Sequence, residues 1–238
     1  MFDIKIPFYA ITILLSLIVN IVIVMLIYKK HQFSKNEIIG AVVYENIGVI
    51  LGAKIFSFFA DYKSYKEFDL LSLGLSSYGA VIGAILCLIF FSLQFKKPLK
   101  DMLFTFMPSI PIMYAIGKIG CFTSGCCHGI EYTGWGNVVY NYSPAAPANV
   151  HLFPVQLAET IIFTLIFVYM ITESLKNRFD LKTAGISFIL CGLGKFSRDY
   201  LRMSHTGKLI SLNQTVSIVF IIIGVIIIYI HQKSIKKI

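Results

Sequence analysis

Apolar runs of about twenty residues follow one another along this chain and are separated by short polar segments. A run of this length crosses the hydrocarbon core of a bilayer when it forms an α-helix, because a helix satisfies its own backbone hydrogen bonds. The pattern predicts about seven such helices, at residues 8–28, 38–60, 73–95, 101–122, 152–173, 183–201 and 212–231. We therefore expect an all-α polytopic membrane protein that forms a single transmembrane domain over residues 1–238.

The composition agrees with a membrane protein and excludes a soluble one. Hydrophobic residues make up 57% of the chain and charged residues 14%, with a mean hydropathy of +0.77. Soluble domains carry about 25% charged residues. The first apolar run is too long for the core of a signal peptide and ends in Lys29 and Lys30, which predicts an uncleaved transmembrane helix.

The net charge of +9 is concentrated in the short segments between the apolar runs. Cations are enriched in alternate segments, and the positive-inside rule then places the N-terminus outside and the C-terminus in the cytoplasm. No basic face interleaved with stacking aromatics is present, so we expect no nucleic-acid partner. The enriched segments hold Lys29, Lys30, Lys35, Lys96, Lys97, Lys100, Lys176, Arg178, Lys182, Lys233, Lys236 and Lys237, and the others Lys5, Lys63, Lys66, Arg202 and Lys208.

Several ionisable residues fall inside the predicted spans or at their rims. A charge at the bilayer centre costs at least a few kcal/mol, so such residues either reach an interface, form structural pairs or face a polar cavity. Lysines at three of these positions closely follow a glycine, and a cavity with several cations suits the phosphate of an anionic lipid headgroup. The full set is Glu45, Lys54, Lys118, Glu159, Lys195, Arg198 and Asp199.

The third predicted helix opens with the sequence Ser-Ser-Tyr-Gly-Ala-Val-Ile-Gly at residues 76–83. Its glycines allow close packing against another helix, which is one explanation of the motif. The other is that the serines and Tyr78 line the mouth of a cavity, where Tyr78 can donate a hydrogen bond or act as a base.

The longest polar interruption, at residues 117–159, holds three of the five cysteines. Zinc is a conceivable ligand of Cys121, Cys126 and Cys127, although these residues match no standard zinc spacing and we predict no metal site. A disulfide on an oxidising outer face, thiol catalysis and close packing in a Gly-rich turn remain open, and packing is favoured. At the end of the segment, Gln156 and Glu159 place an amide and a carboxylate on one helical face.

These residues resemble the prolipoprotein diacylglyceryl transferase family, whose members carry Gly-Arg-Ile-Gly-x-Phe-x-x-Gly, Trp-Gly and Pro-x-Gln-Leu-x-Glu in this order. Residues 117–125 read Gly-Lys-Ile-Gly-Cys-Phe-Thr-Ser-Gly, residues 135–136 read Trp-Gly, and residues 154–159 read Pro-Val-Gln-Leu-Ala-Glu. The resemblance extends to residues 52–54, 76–83, 195–202 and 211–217, and therefore covers most of the chain.

The sequence departs from the family pattern at several of these positions. Three motif arginines are lysines here, which keep the charge but lose the bidentate fork of a guanidinium. The motif histidine is Tyr78, the motif asparagine is Cys121, and the late motif glutamate is Asp199. The three lysines are Lys54, Lys118 and Lys195.

The resemblance implies transfer of a diacylglyceryl group from phosphatidylglycerol to the lipobox cysteine thiol in prolipoprotein signal peptides, with release of glycerol phosphate. It implies a multi-pass enzyme of the bacterial inner or plasma membrane, embedded in the lipid bilayer and needing neither a cofactor nor a metal. The catalytic residues it suggests are Tyr78, Lys118 and Lys195. The substrate-binding residues it suggests are Lys54, Ser77, Gly79, Cys121, Gly125, Gln156, Glu159, Asp199 and Arg202.

Two other functions remain compatible with the same residues. One is a family paralogue that acts on a different acceptor or uses its external cysteines for thiol redox chemistry. The other is a lipid-binding or transport protein without enzymatic activity. Transporters often contain paired repeats with interrupted helices, and the sequence shows no such repeat.

Overall fold

The computed structural model describes residues 8–31, 33–60, 74–143, 145–207 and 209–235. Its helices are α1 (Phe8–Ile27), α2 (Lys35–Ala60), α3 (Ser77–Phe95), α4 (Leu99–Phe106), α5 (Ile110–Ser124), α6 (Val155–Leu175), α7 (Leu181–Asp199) and α8 (Leu212–Ile235). Short 3₁₀ turns lie at Tyr28–His31, Met107–Ser109 and Met203–His205, and two strands, β1 (Val138–Val139) and β2 (His151–Leu152), pair in antiparallel fashion. The predicted helical class is confirmed.

Within the described residues, six helical stretches are long and apolar enough to cross a membrane: Phe8–His31, Lys35–Phe59, Ser77–Phe95, Leu99–Ser124, Val155–Leu175 and Leu212–Ile235. The remaining predicted span, at residues 183–201, corresponds to α7, which is helical but carries Lys182, Lys195, Arg198 and Asp199. The count of seven therefore stays a prediction. So does the orientation, and Lys5, Lys63, Lys66, Lys208, Lys236 and Lys237, on which it partly rests, lie outside the described residues.

The chain divides into two compact units, one formed by residues 20–110 and the other by residues 1–19 with 111–238. We refer to them as the 20–110 unit and the C-terminal unit. The prediction of one domain over residues 1–238 stays a prediction.

In the 20–110 unit, α2 and α3 pack closely through facing glycines. A Cβ atom on Gly52 would lie 2.2 Å from the carbonyl oxygen of Gly79, and one on Gly83 would lie 2.1 Å from that of Gly48. Both distances are impossible for real atoms, so any larger residue would force the helices apart. The close packing expected of the glycines at 76–83 is confirmed.

The buried carboxyl group of Glu45 also belongs to the 20–110 unit. It accepts a hydrogen bond of 2.6 Å from Nδ2 of Asn20, whose Oδ1 in turn accepts one of 2.6 Å from Ser109. All three side chains are fully buried or nearly so. Glu45 is thus part of a structural network, one of the alternatives left open by the sequence.

In the C-terminal unit, α7 and α8 pack along a line of glycines, and a Cβ atom on Gly224 would lie 2.6 Å from the carbonyl oxygen of Gly185. The segment between α5 and α6 folds back over the end of α7. Gly129 forms an antiparallel bridge with Arg202, Ile130 donates a backbone hydrogen bond of 3.0 Å to Leu201, and Phe153 donates one of 3.0 Å to Ile130. The backbone that carries Arg202 is therefore held by this segment.

Candidate functional site

Two cationic side chains from different parts of the C-terminal unit meet at the carboxylate of Glu159. Nζ of Lys118, on α5, lies 2.8 Å from Oε2 of Glu159, in the first turns of α6. Nη2 of Arg202, just after α7, donates to both carboxylate oxygens at 3.1 and 2.9 Å. The side chains of Lys118, Glu159 and Arg202 are 8%, 1% and 10% exposed. Two cations thus share one carboxylate away from solvent.

Tyr114 brings a third cation to the same place. Its ring lies 5.1 Å from Nζ of Lys118, one helical turn away on α5, and 4.6 Å from Nζ of Lys195 on α7. Both distances are within the range of a cation–π interaction. The ring of Phe163 also packs against the ring of Tyr114, with 4.3 Å between the two ring centroids. Sequence reasoning missed Tyr114, and its only signal was the spacing of four residues to Lys118.

The electrostatic balance of this cluster favours an anion. A buried charge needs compensation, and one carboxylate compensates only one of the two cations bonded to it. Burial alone lowers the pKa of the Arg202 guanidinium, but the charge and hydrogen bonds of the Glu159 carboxylate oppose this and hold the pKa above its ordinary value. Arg202 is therefore charged at every physiological pH, and the pair Lys118 and Arg202 retains an excess positive charge.

Several buried polar atoms of the same residues have no hydrogen-bond partner within the part of the chain that the structure describes. They include the hydroxyl of Tyr114, Oε1 of Gln156 and Nε of Arg202. Burial of a polar group without a partner costs about 1–3 kcal/mol and therefore calls for an explanation. A bound polar ligand is one such explanation. The cluster of Lys118, Glu159, Arg202, Tyr114, Lys195 and Gln156 is called the cationic cluster below.

Gln156 is buried one turn before Glu159, on the face where the sequence placed it. Its Nε2 donates a hydrogen bond of 2.9 Å to the carbonyl oxygen of Cys126. This contact holds the turn after α5 and does not involve Oε1 of Gln156. Gln156 therefore connects the cationic cluster with the cysteine segment.

Asp199 accepts hydrogen bonds from the start of α8. Oδ1 accepts one of 2.8 Å from Asn213, and Oδ2 accepts one from the hydroxyl of Ser211 and faces Nδ1 of His205 at 3.1 Å. With both oxygens engaged and 2% of the residue exposed, Asp199 orders the junction between α7 and α8. Its predicted contact with substrate stays a prediction. His205 was missed by the sequence analysis.

The remaining predicted residues fall in two places. Cys121 and Gly125 lie at the end of α5, where Gly125 has a φ of +72° and the three neighbouring cysteines are free thiols. Lys54, Ser77, Tyr78 and Gly79 belong to the 20–110 unit. There the rings of Tyr78 and Phe56 lie 6.5 Å apart, and Ser76 caps α3 by accepting from the amide of Gly79 at 3.4 Å. The roles predicted for these residues stay predictions.

The fold and the cationic cluster define a helical integral membrane protein with a buried site suited to an anionic group. The profile of the prolipoprotein diacylglyceryl transferase family matches residues 1–230, and the chain belongs to this family. The family resemblance predicted from the motifs is thereby confirmed.

Relatives with the name phosphatidylglycerol–prolipoprotein diacylglyceryl transferase match almost the whole chain. The protein of Clostridium tetani is 28% identical over 95% of this chain and 94% of its own length. A protein of Clostridium perfringens, numbered 2 in its name, is 28% identical over 96% of this chain and 91% of its own. That of Finegoldia magna is 29% identical over 99% and 95%.

Proposed function

We propose that this protein transfers the diacylglyceryl group of phosphatidylglycerol to the thiol of the lipobox cysteine in prolipoproteins. The reaction forms a bond between the cysteine sulfur and a glycerol carbon of the diacylglyceryl group. The bond from that carbon to the phosphate oxygen breaks, and glycerol phosphate leaves. The thiol loses its proton, because the thiolate is the nucleophile. Family membership and the names of the relatives support this proposal.

The single observation that carries the proposal is the sharing of Glu159 by Lys118 and Arg202. As the bond to phosphate breaks, negative charge grows on the phosphate oxygens, and fixed cations in a dry site stabilise this charge without reorganisation. We propose that Lys118 and Lys195 bind the leaving phosphate. Arg202 and Glu159 would position these two lysines. Oε1 of Gln156, which has no hydrogen-bond partner among the described residues, suits a hydroxyl of the glycerol headgroup, which can donate to it.

The proton acceptor suggested by the family pattern is Tyr78 in its phenolate form, whose oxygen would take up the proton of the thiol, and Tyr78 stands where other members have a histidine. This assignment is supported by sequence position alone. A Tyr78→Phe variant tests it: we expect loss of transfer with retained binding of phosphatidylglycerol, and normal turnover would remove Tyr78 from the mechanism.

The decisive assay supplies the purified full-length protein in lipid nanodiscs with labelled phosphatidylglycerol and a lipobox peptide. Release of glycerol phosphate and the mass gain of the peptide are measured together. We expect both products in equal amounts, and binding of the lipid without either product would identify a lipid-binding protein instead. Glycerol phosphate without a modified peptide would indicate a different acceptor, the paralogue alternative.

Variants of the cationic cluster link the assay to the site. Lys118→Ala and Lys195→Ala should each lower turnover by at least about a hundredfold, the loss typical of a removed electrostatic contact to a developing charge. Lys97→Ala is the matched control, because Lys97 pairs with Glu37 at a partly exposed position. Near-normal rates in either cluster variant would remove that lysine from the mechanism.

The finer features of the membrane arrangement belong to the same proposal. We propose seven membrane helices with α7 as the seventh, an outside N-terminus, and insertion in the bacterial cytoplasmic membrane as one functional domain. The distribution of lysine and arginine between alternate segments supports it. Labelling of single cysteines with a membrane-impermeant reagent tests it, since residues 125–150 should react from outside and Lys176→Cys should not.

A further inference from the structure

Three cysteine sulfurs lie together at the end of α5, beside the cationic cluster. The Sγ atoms of Cys121, Cys126 and Cys127 are all within 4.8 Å of one another. In a tetrahedral zinc site with bonds of about 2.3 Å, neighbouring sulfurs are about 3.8 Å apart. The separations of the three sulfurs therefore exceed this spacing by at most about 1 Å. We propose that these three residues bind one soft, thiophilic cation, Cu(I) or Zn(II), through three thiolates.

The turn that carries the cysteines is held from outside and does not depend on contacts between the sulfurs. Tyr140 donates a hydrogen bond of 2.8 Å to the carbonyl oxygen of Phe122, and Ser143 donates one of 2.8 Å to that of Ser124. Gln156 donates the third, of 2.9 Å, to the carbonyl oxygen of Cys126. The backbone positions of the thiols are therefore fixed before any ligand binds, which reduces the entropy that binding must overcome.

The backbone conformation of Cys127 is unusual and brings its sulfur to the other two. Its φ of 55° lies in the left-handed region, which a residue with a Cβ atom rarely adopts. Together with Gly125, at a φ of +72°, it turns the chain back toward Cys121. Strain of this kind persists where the surrounding structure imposes it and tends to occur at functional sites.

Access and charge also suit a thiolate ligand set. Cys121 is buried, Cys126 is half-buried and Cys127 is exposed, so a cation can enter from the side of Cys127. Binding converts three thiols to thiolates and releases their protons. Lys118 lies one helical turn before Cys121 and partly offsets the negative charge of the complex. Three thiolates are the soft donors that select Cu(I) and Zn(II) over Mg²⁺ or Ca²⁺.

A metal accounts for all three sulfurs, whereas a disulfide uses two and leaves the third without a function. The soft-ligand chemistry of the cysteines made a metal conceivable from the sequence, but their spacing matches no standard zinc motif and we predicted none. The juxtaposition of the sulfurs in the folded chain is what leads to the present proposal.

The test uses the reduced full-length protein in detergent, kept without oxygen and titrated separately with Cu(I) and Zn(II) against chromophoric chelators. We expect one equivalent of at least one of the two metals per chain. X-ray absorption should show three sulfur neighbours at about 2.3 Å. Cys121→Ser, Cys126→Ser and Cys127→Ser should each weaken binding by more than about a hundredfold, beyond what changes outside the ligand shell cause.

Cys87→Ser and Cys191→Ser are the matched controls, because both thiols are remote in sequence from the turn and should leave binding unchanged. Size-exclusion chromatography of each variant serves as the check that it is folded. Equal metal content in the native protein and in all three turn variants overturns the proposal. A thiol titration of the unreduced, denatured protein provides a second check. All five cysteines are free in the structure. Detection of three reactive thiols would reveal a disulfide and overturn the proposal.

Discussion

Glu159 accepts hydrogen bonds from a single guanidinium nitrogen of Arg202 through both of its carboxylate oxygens, at 3.1 and 2.9 Å. One of these oxygens also lies 2.8 Å from Nζ of Lys118. Through this carboxylate, the charged side chain of Lys118 on α5 is joined to that of Arg202, just after α7. Loss of the carboxylate should therefore affect both folding and turnover.

Glu159→Gln should destabilise the protein by about 3–5 kcal/mol, the usual result of leaving buried charges without their partner. Unfolding in detergent, followed by the fluorescence of Trp135 or by circular dichroism, measures the change. Glu37→Gln is the control, because the pair of Glu37 with Lys97 is about 30% exposed and such pairs contribute about 1 kcal/mol or less. An equal effect of the two changes would contradict the buried role of Glu159.

Tyr114 should act through its ring and not through its hydroxyl group. Because both cation–π contacts involve the ring, Tyr114→Phe should keep turnover within about threefold of the native value. Tyr114→Leu removes the ring and should lower turnover by about ten- to thirtyfold, equivalent to a cation–π contribution of about 2 kcal/mol. The turnover of both variants is measured with labelled phosphatidylglycerol and the lipobox peptide. Equal rates in the two variants would show that the ring has no electrostatic role.

Asp199 is expected to position the start of α8. Asp199→Asn should destabilise the protein by about 1–3 kcal/mol, because hydrogen bonds to a charged acceptor are lost or weakened. It should also speed hydrogen exchange of the amides at residues 211–214. Asp199→Glu restores the residue of the family pattern and should recover most of the protection. Asp180→Asn is the control, since asparagine can still cap α7 as Asp180 does. Unchanged exchange at 211–214 in Asp199→Asn would contradict this role.

Much of the fold and part of the site could be predicted from the sequence, for physical reasons that differ between residues. Six of the seven predicted spans followed from apolar length and are found among the described residues. Lys118, Gln156 and Glu159 followed from motif positions, and α-helical spacing placed the last two on one face. The break at Met107–Ser109 was not predicted, although Pro108 in a span is a signal for it.

Tertiary contacts could not be predicted, since sequence spacing does not determine them. The role of Tyr114 depends on Lys195 reaching its ring from another helix. The engagement of Asp199 by Ser211 and Asn213 depends on a turn between α7 and α8. The grouping of Cys121 with Cys126 and Cys127 depends on two left-handed residues in one turn, and only one of the two is a glycine.

Gly117 offers a test of whether space beside Lys118 is used by a ligand. A Cβ atom added to Gly117 would meet no described atom within 4 Å, so packing against the described residues does not explain this glycine. Glycine within a helix costs about 0.5–1 kcal/mol relative to alanine. Gly117→Ala should therefore stabilise the protein by about this amount. If the adjacent space receives the headgroup, the same change should raise the KM for phosphatidylglycerol several-fold.

The control for Gly117→Ala is Gly52→Ala, in the 20–110 unit, where a Cβ atom would lie 2.2 Å from a backbone oxygen and should lower stability sharply. Greater stability of Gly117→Ala together with a higher KM separates the use of this space from any loss of folding. Greater stability with an unchanged KM would place the open side of Gly117 toward lipid acyl chains and away from the headgroup. Because stability and KM are both expected to rise, a general weakening of the fold, which lowers stability, cannot produce the predicted result.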